Sequence, residues 1–144
     1  MAGRIAHLFL KEGRALPMRS VPAVTAVAGK GLEGDAAFGR ERRQVLLVGQ
    51  STLGDFDLQP GALRENMTLT GMAVDDLADG TLLEIGEAVL EIIGDCEPCS
   101  QMDDLRPGLR EAIRGRRGKL GRVTRSGDVR VGDAVHLTAP PSAA

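Results

Sequence analysis

Tryptophan and tyrosine are absent from this 144-residue chain, and three phenylalanines are its whole aromatic complement. The shortage argues against a base-stacking surface for nucleic acid, which needs such rings. It also leaves the core to Val, Leu, Ile, Ala and Met. A dominant sign of charge is missing too: 18 Lys and Arg stand against 20 Asp and Glu, a net charge of −2. No basic field therefore invites a phosphate backbone or an anionic membrane. No apolar run approaches the ~20 residues that a membrane-spanning helix needs. Residues 1–10 hold too little apolar content for a signal peptide. The expectation is a cytoplasmic protein with reduced thiols and no nucleic-acid or membrane partner. Two cysteines cannot build a disulfide framework. The two histidines, His7 and His136, lie far apart and show no metal-ligand spacing.

Glycine, by contrast, is plentiful and spread along the chain, which predicts tight turns between short strands rather than a linker. The length suits one domain over residues 1–138, followed by a frayed, flexible tail at 139–144 that contains Pro140 and Pro141. Strand-like runs occur at 5–10, 21–27, 44–48, around Met67 and Leu69, and at 81–85, 88–93, 120–125, 129–131 and 134–137. Gly86-Glu87 suits a two-residue hairpin turn of type II′. Ser126-Gly127-Asp128 predicts a second hairpin between its flanking runs. One short helix is expected from a Ser51 cap to about Asp57, with Leu53 and Phe56 facing inward. Residues 75–80 read as a turn or one helical turn. Another helix is expected with Pro107 in its first turn, Leu109, Ala112 and Ile113 behind it, and Gly115 at its end. Sustained alternation of strand and helix is missing, so the expected class is mainly β, a barrel with a few short helices.

The segment Gly29-Lys30-Gly31-Leu32-Glu33-Gly34 spells G-x-G-x-x-G. A dinucleotide site would need a helix to start there, but the following residues have no apolar stripe and Gly39 interrupts them. A glycine-rich or ligand-facing loop is expected instead. The organising stretch is residues 94–101, Gly-Asp-Cys-Glu-Pro-Cys-Ser-Gln, which holds both cysteines. It leaves the most strand-like run and precedes a charged, helical segment. Cys96-x-x-Cys99 admits four readings. One is a redox dithiol, although that motif normally opens a helix in a βαβ unit. Another is structural zinc, which lacks a second ligand pair here. The others are two small buried hydrophobes, and a soft thiolate for a soft metal such as molybdenum. Nothing local supports a Cys–His nucleophile pair with His7 or with His136, which lies in a strand-like run.

Arg64 and Asn66 stand two apart, so in an extended chain they share a face. The guanidinium fork suits phosphate or carboxylate, and the amide matches a heterocycle edge. The alternative is a capped turn with a surface charge. Arg40, Arg42 and Arg43 read as an anion site or a solvated loop. Arg110, Arg114, Arg116 and Arg117 read as a solvated helix face and loop.

Taken in order, several fragments resemble the MOSC domain, the module named after the C-terminal part of molybdenum cofactor sulfurase. They are Gly31-Leu32-Glu33-Gly34-Asp35, Arg43-Gln44-Val45-Leu46-Leu47, Pro60-Gly61 with Arg64-Glu65-Asn66, and Leu77-Ala78-Asp79-Gly80 through Ile85-Gly86. Glu97-Pro98-Cys99, Gly121-Arg122-Val123 and Val131-Gly132-Asp133 complete the series. The likeness spans about residues 5 to 138. It implies a mostly β fold like the barrel domain of pyruvate kinase. It implies that Cys99 ligates molybdenum or carries sulfur, and that Arg64 and Asn66 hold the pterin or its phosphate. The Gly34-Asp35 motif would join them in binding molybdenum cofactor (molybdopterin).

The implied activity is that of an oxidoreductase reducing N-hydroxylated small-molecule substrates with electrons from a partner reductase. The alternatives are a sulfur carrier, in which Cys99 delivers persulfide sulfur received from a cysteine desulfurase to metal–sulfur centres, and a non-catalytic cofactor-binding module. Ala37 stands where family members often carry His, a departure that bears on activity more than on fold. No stretch matches the aminotransferase-like domain of the sulfurase. The chain itself is therefore expected to bind no pyridoxal phosphate and to depend on a separate desulfurase or electron donor.

Overall fold

The computed structural model describes residues 3–138. The first half of the chain forms β1 (Gly3–Lys11), β2 (Met18–Val21), β3 (Ala23–Val27), β4 (Gly31–Leu32), β5 (Val45–Gly49), α1 (Gln50–Asp55) and β6 (Met67–Thr70). After a 3₁₀ turn at Val74–Asp76 come β7 (Leu82–Ile85), β8 (Ala88–Asp95), α2 (Ser100–Leu105), α3 (Leu109–Ala112), β9 (Lys119–Arg125), β10 (Gly127–Arg130) and β11 (Ala134–Leu137).

Seven of these strands close into a barrel in the order β1-β11-β7-β8-β9-β5-β6, with β6 returning to β1. Only β5 and β6 run parallel. Strand β1 makes the closure. One of its edges pairs with β6, while the other pairs first with β11 through Gly3 and Arg4 and then with β2 through residues 8–11. A bulge between Ile5 and His7 shifts the alternation by one residue, so that Ile5, Leu8 and Leu10 all reach the barrel core. Strands β10, β3 and β4 form a separate small sheet.

Strand β5 is buried at every position, which explains its unbroken apolar run. Val45 and Leu47 face the barrel core. Leu46 and Val48 face a second cluster made by Leu53, Leu63, Met102, Leu109 and Ile113. The three short helices therefore pack on the outer face of β5, and Met102 anchors α2 there.

The mainly β barrel and the hairpin at Gly86-Glu87 form as expected, with Gly86 at φ 56°. Other expectations change. Strand β10 pairs with β3, not with β9. Ser126 Oγ accepts a hydrogen bond from the Ala28 N–H at 2.8 Å, which draws the chain toward the small sheet. A Cβ at Gly127 would collide with the Glu87 backbone, so only glycine allows the crossing. Helix α1 starts one residue before Ser51, and its N-cap is Gly49 without a side-chain bond. Pro107 stands outside α3, whose cap is the left-handed Gly108 at φ 85°. Leu109 and Ile113 are buried as expected, but Ala112 is exposed. The glycine-rich segment is the β3–β4 hairpin and its exit, and no helix follows it. The expected tail at 139–144 lies outside the described residues. Among the described residues, no helix is long and apolar enough to cross a membrane.

Candidate functional site

Strand β8 leaves the barrel at Asp95, which ion-pairs with Lys119 on β9. One residue later the Cys96 N–H still donates to the Gly118 carbonyl at 2.9 Å. At the other end the Met102 N–H donates to the Cys99 carbonyl at 3.0 Å, and Met102 is sunk in the second apolar cluster. The cysteine loop is thus strung between the β8–β9 ladder and α2. Both thiols are free and half-buried. Cys96 packs against the second cluster, while the polar neighbour of the Cys99 sulfur is Gln101 Oε1 at 4.0 Å.

Both cysteines, Asp35, Arg64 and Asn66 line one cavity of about 220 Å³. Gly34 does not line it. Its left-handed φ of 86° turns the chain so that Asp35 does. Asp35 is 6% exposed. Its Oδ1 accepts from the Lys11 N–H at 2.7 Å and from Asn66 Nδ2 at 2.9 Å, and its Oδ2 accepts from the Ala37 N–H at 3.0 Å. Asn66 Nδ2 also donates to the Phe9 carbonyl at 3.1 Å, while its Oδ1 accepts from the Leu46 N–H at 3.0 Å. Both amide hydrogens are committed to the scaffold, and one Oδ1 lone pair remains. The pair therefore ties β1, β5 and the segment after β4 together at the cavity wall.

Arg64 reaches the cavity by a different route from the one expected. It is not extended but left-handed, at φ 62°, and closes the turn that begins at Pro60-Gly61. Its guanidinium donates to the Leu16 and Gly13 carbonyls, both at 2.9 Å. Those bonds hold the loop between β1 and β2 and leave three of the five fork donors for other partners.

The wall is strongly cationic. Lys11, Arg40, Arg43, Arg64 and Arg117 face it, against the carboxylates of Asp35 and Glu97. The Lys11 ammonium is pushed below its ordinary pKa, first by burial and next by the charge of Arg64, with Asp35 opposing. Arg117 is the residue that sequence reasoning missed. It is 6% exposed, and its Nε and Nη1 atoms have no hydrogen-bond partner among the described residues. Its placement follows from Gly118, whose φ is 124° and whose Cβ would lie 2.7 Å from the Leu47 carbonyl oxygen. Only a glycine lets the chain pass so close to β5, and the arginine before it is carried inside. Arg116 turns the other way, to Asp55 at 2.9 Å and Asp75 at 3.3 Å, with its guanidinium 5.5 Å from the Phe56 ring centre. The basic run is therefore not a uniformly solvated face. The available signal was an Arg-Gly pair directly before a strand that follows the cysteine loop.

A second cavity of about 460 Å³ adjoins the first through Arg64 and Gln101. Phe9, Met18, Met102 and Leu105 give it apolar walls. Among the described residues, no three His, Cys, Asp or Glu side chains are grouped as a metal site, so the zinc reading has no ligand set. The arrangement offers a thiol in a cation-lined recess, which suits a soft metal carried on an anionic group.

The sequence matches the MOSC domain family over residues 41–136, a span that includes Arg64, Asn66, Cys99 and Arg117. No curated protein matches it significantly. Solved structures share the fold. The YuaD protein of Bacillus subtilis superposes with a TM-score of 0.79 at 21% identity, covering 96% of this chain and 98% of its own. YiiM of Geobacillus stearothermophilus gives 0.77 at 18% identity, covering 98% and 77%. YiiM of Escherichia coli gives 0.72 at 18% identity, covering 96% and 71%.

Proposed function

Because the chain belongs to the MOSC domain family, we propose that it binds molybdenum cofactor through Cys99 and reduces N-hydroxylated small molecules. The observation that carries this reading is the meeting of two groups in one cavity: the free thiol of Cys99 and the unpartnered buried guanidinium of Arg117. A thiolate matches molybdenum in softness, and a buried cation without a counter-charge matches an anionic cofactor. The residues present therefore fit the group.

Bound there, the cofactor would supply two-electron oxygen-transfer chemistry. The chain's own part is positional. Cys99 would hold the metal, on a loop fixed at one end by Met102 and at the other by the Cys96–Gly118 backbone bond. Arg117, Lys11 and the free donors of Arg64 would hold the anionic part of the cofactor. Asp35 and Asn66 hold the wall rigid rather than binding through free side-chain donors. The adjoining apolar cavity takes the body of the substrate. The overall reaction consumes two electrons and two protons, breaks the N–O bond and releases water. The electrons come from a separate reductase, in a reducing compartment that keeps both thiols free.

The test is anaerobic turnover of an aromatic amidoxime with a chemically reduced viologen dye, using protein expressed in cofactor-competent cells. The expected result is one amidine formed per two electrons in wild type and none with Cys99→Ser. Molybdenum-loaded wild type that consumes no electrons would overturn the oxidoreductase reading and leave a binding module, the outcome toward which Ala37 points.

A sulfur-carrier reading is favoured by one observation: Cys96 lines the same cavity as Cys99. A persulfide on Cys99 attacked by the Cys96 thiol would give a disulfide between them and release hydrogen sulfide. That reading expects a one-sulfur mass increment on Cys99 in Cys96→Ser, and a Cys96–Cys99 disulfide with released sulfide in wild type, after incubation with a cysteine desulfurase and cysteine.

A further inference from the structure

We propose that Arg117 anchors a seat for a tetrahedral, doubly charged oxyanion, completed by Lys11 and by Arg40 and Arg43 at the cavity mouth. A buried guanidinium is costly when it faces no counter-charge, and it persists where a ligand supplies one. Arg117 is in that condition: Nε and Nη1 are buried without partners, on the wall of a cavity that cations dominate. Nε and Nη1 each share an edge of the planar fork with Nη2, and either edge can grip two oxygens of a phosphate at once. No side chain among the described residues partners these atoms. The Asp35 oxygens already accept three hydrogen bonds. The Asp95 carboxylate is taken by Lys119. The Glu97 carboxylate lies out toward Arg114, 79% exposed.

Lys11 has the same history on a smaller scale. Its ammonium has no hydrogen-bond or ion-pair partner among the described residues, and burial and Arg64 make it uncomfortable as a cation. An oxyanion between Lys11 and Arg117 relieves both. Two sources share this chemistry: the terminal phosphate of a phosphomonoester, which in the cofactor reading above is the phosphate arm of the pterin, and a free inorganic oxyanion. The seat itself stands on the geometry. Only its first source rests on that reading.

The experiment measures thermal unfolding and calorimetric binding of the full chain with inorganic phosphate and with phenyl phosphate. The proteins are wild type, Arg117→Met, Arg117→Lys and Arg110→Met. Arg110 is exposed and outside the cavity, so it controls for the loss of one positive charge. Wild type and Arg110→Met are expected to be stabilised equally. Arg117→Met is expected to weaken binding by about tenfold or more. Arg117→Lys, which keeps the charge but not the fork, should fall between them. Without any anion, Arg117→Met should melt higher than wild type, because an unpaired buried charge is replaced by an apolar chain. A purely structural arginine would instead melt lower on substitution.

Tighter binding of phenyl phosphate than of phosphate assigns the seat to an ester terminus, and the reverse assigns it to a free oxyanion. Equal phosphate responses in wild type and Arg117→Met, or no response in wild type, overturn the proposal. Molybdenum content separates it from the cofactor reading. Anion binding without molybdenum keeps the seat and drops the cofactor, while molybdenum retained in wild type and Arg117→Met alike, with no anion response, does the opposite.

Discussion

Asn66 Nδ2 donates to Asp35 Oδ1 at 2.9 Å, and that bond joins two residues that the MOSC resemblance assigns to cofactor binding. Between them the pair fixes backbone groups of Phe9, Lys11, Ala37 and Leu46. Replacing Asn66 by Ala strands buried donors and acceptors, each costing about 1–3 kcal/mol. Urea denaturation of Asn66→Ala should therefore show a clear loss of stability with an unchanged m-value. A variant as stable as wild type would mean that the amide serves a ligand rather than the wall.

Gly118→Ala tests how Arg117 is brought inside. The left-handed φ and the close Leu47 carbonyl leave no room for a Cβ. The backbone strain alone costs roughly 1–3 kcal/mol. The variant should be destabilised and should also respond less to phosphate, because the residue that moves carries Arg117 with it. Thermal unfolding with and without phosphate reads both effects.

Lys11 gives a pH dependence with a defined sign. Its folded pKa lies below the ordinary 10.5 because burial and Arg64 disfavour the charge. Below the folded pKa the lysine is charged in both states, and the folded state bears a penalty. As pH rises through the folded pKa toward 10.5 that penalty is relieved, since the unfolded chain then holds more protons. Lys11→Met should therefore stabilise the unliganded protein at neutral pH, with the gain shrinking as pH approaches and passes 10.5. A gain independent of pH would remove Lys11 as its cause.

Met102→Ala separates packing from chemistry at the cysteine loop. Met102 is the buried residue of α2, and such truncations cost about 2–5 kcal/mol. Because the buried side chain seats the turn whose N–H holds the Cys99 carbonyl, loosening it should lower cofactor retention along with stability. Retention unchanged in a destabilised variant would show that the loop is held without α2.

Much of the barrel was legible because its strands are short apolar runs between glycine turns. The β7–β8 hairpin is a local event, and Gly86-Glu87 announces it. The partner of β10 is not local. Ser126-Gly127-Asp128 has hairpin chemistry, yet the contacts that decide the pairing come from Ala28 and Glu87. The cavity was legible in part for the same reason. Cys99, Arg64 and Asn66 do line one recess, but Arg64 arrives through a left-handed turn, and the roles of Asp35 and Asn66 depend on backbone groups that no motif reveals. Arg117 was hidden by its company. Three arginines in four residues read as solvent-facing, and only the approach of Gly118 to β5 buries one of them.

Every cofactor-binding role proposed at the cavity turns on Cys99 as the protein ligand of a molybdenum cofactor. The most direct measurement is elemental analysis of molybdenum in wild type, Cys96→Ser and Cys99→Ser expressed in cofactor-competent cells. Near-stoichiometric metal is expected in wild type and Cys96→Ser, and none in Cys99→Ser. Molybdenum absent from wild type, or present equally in Cys99→Ser, would contradict that ligation.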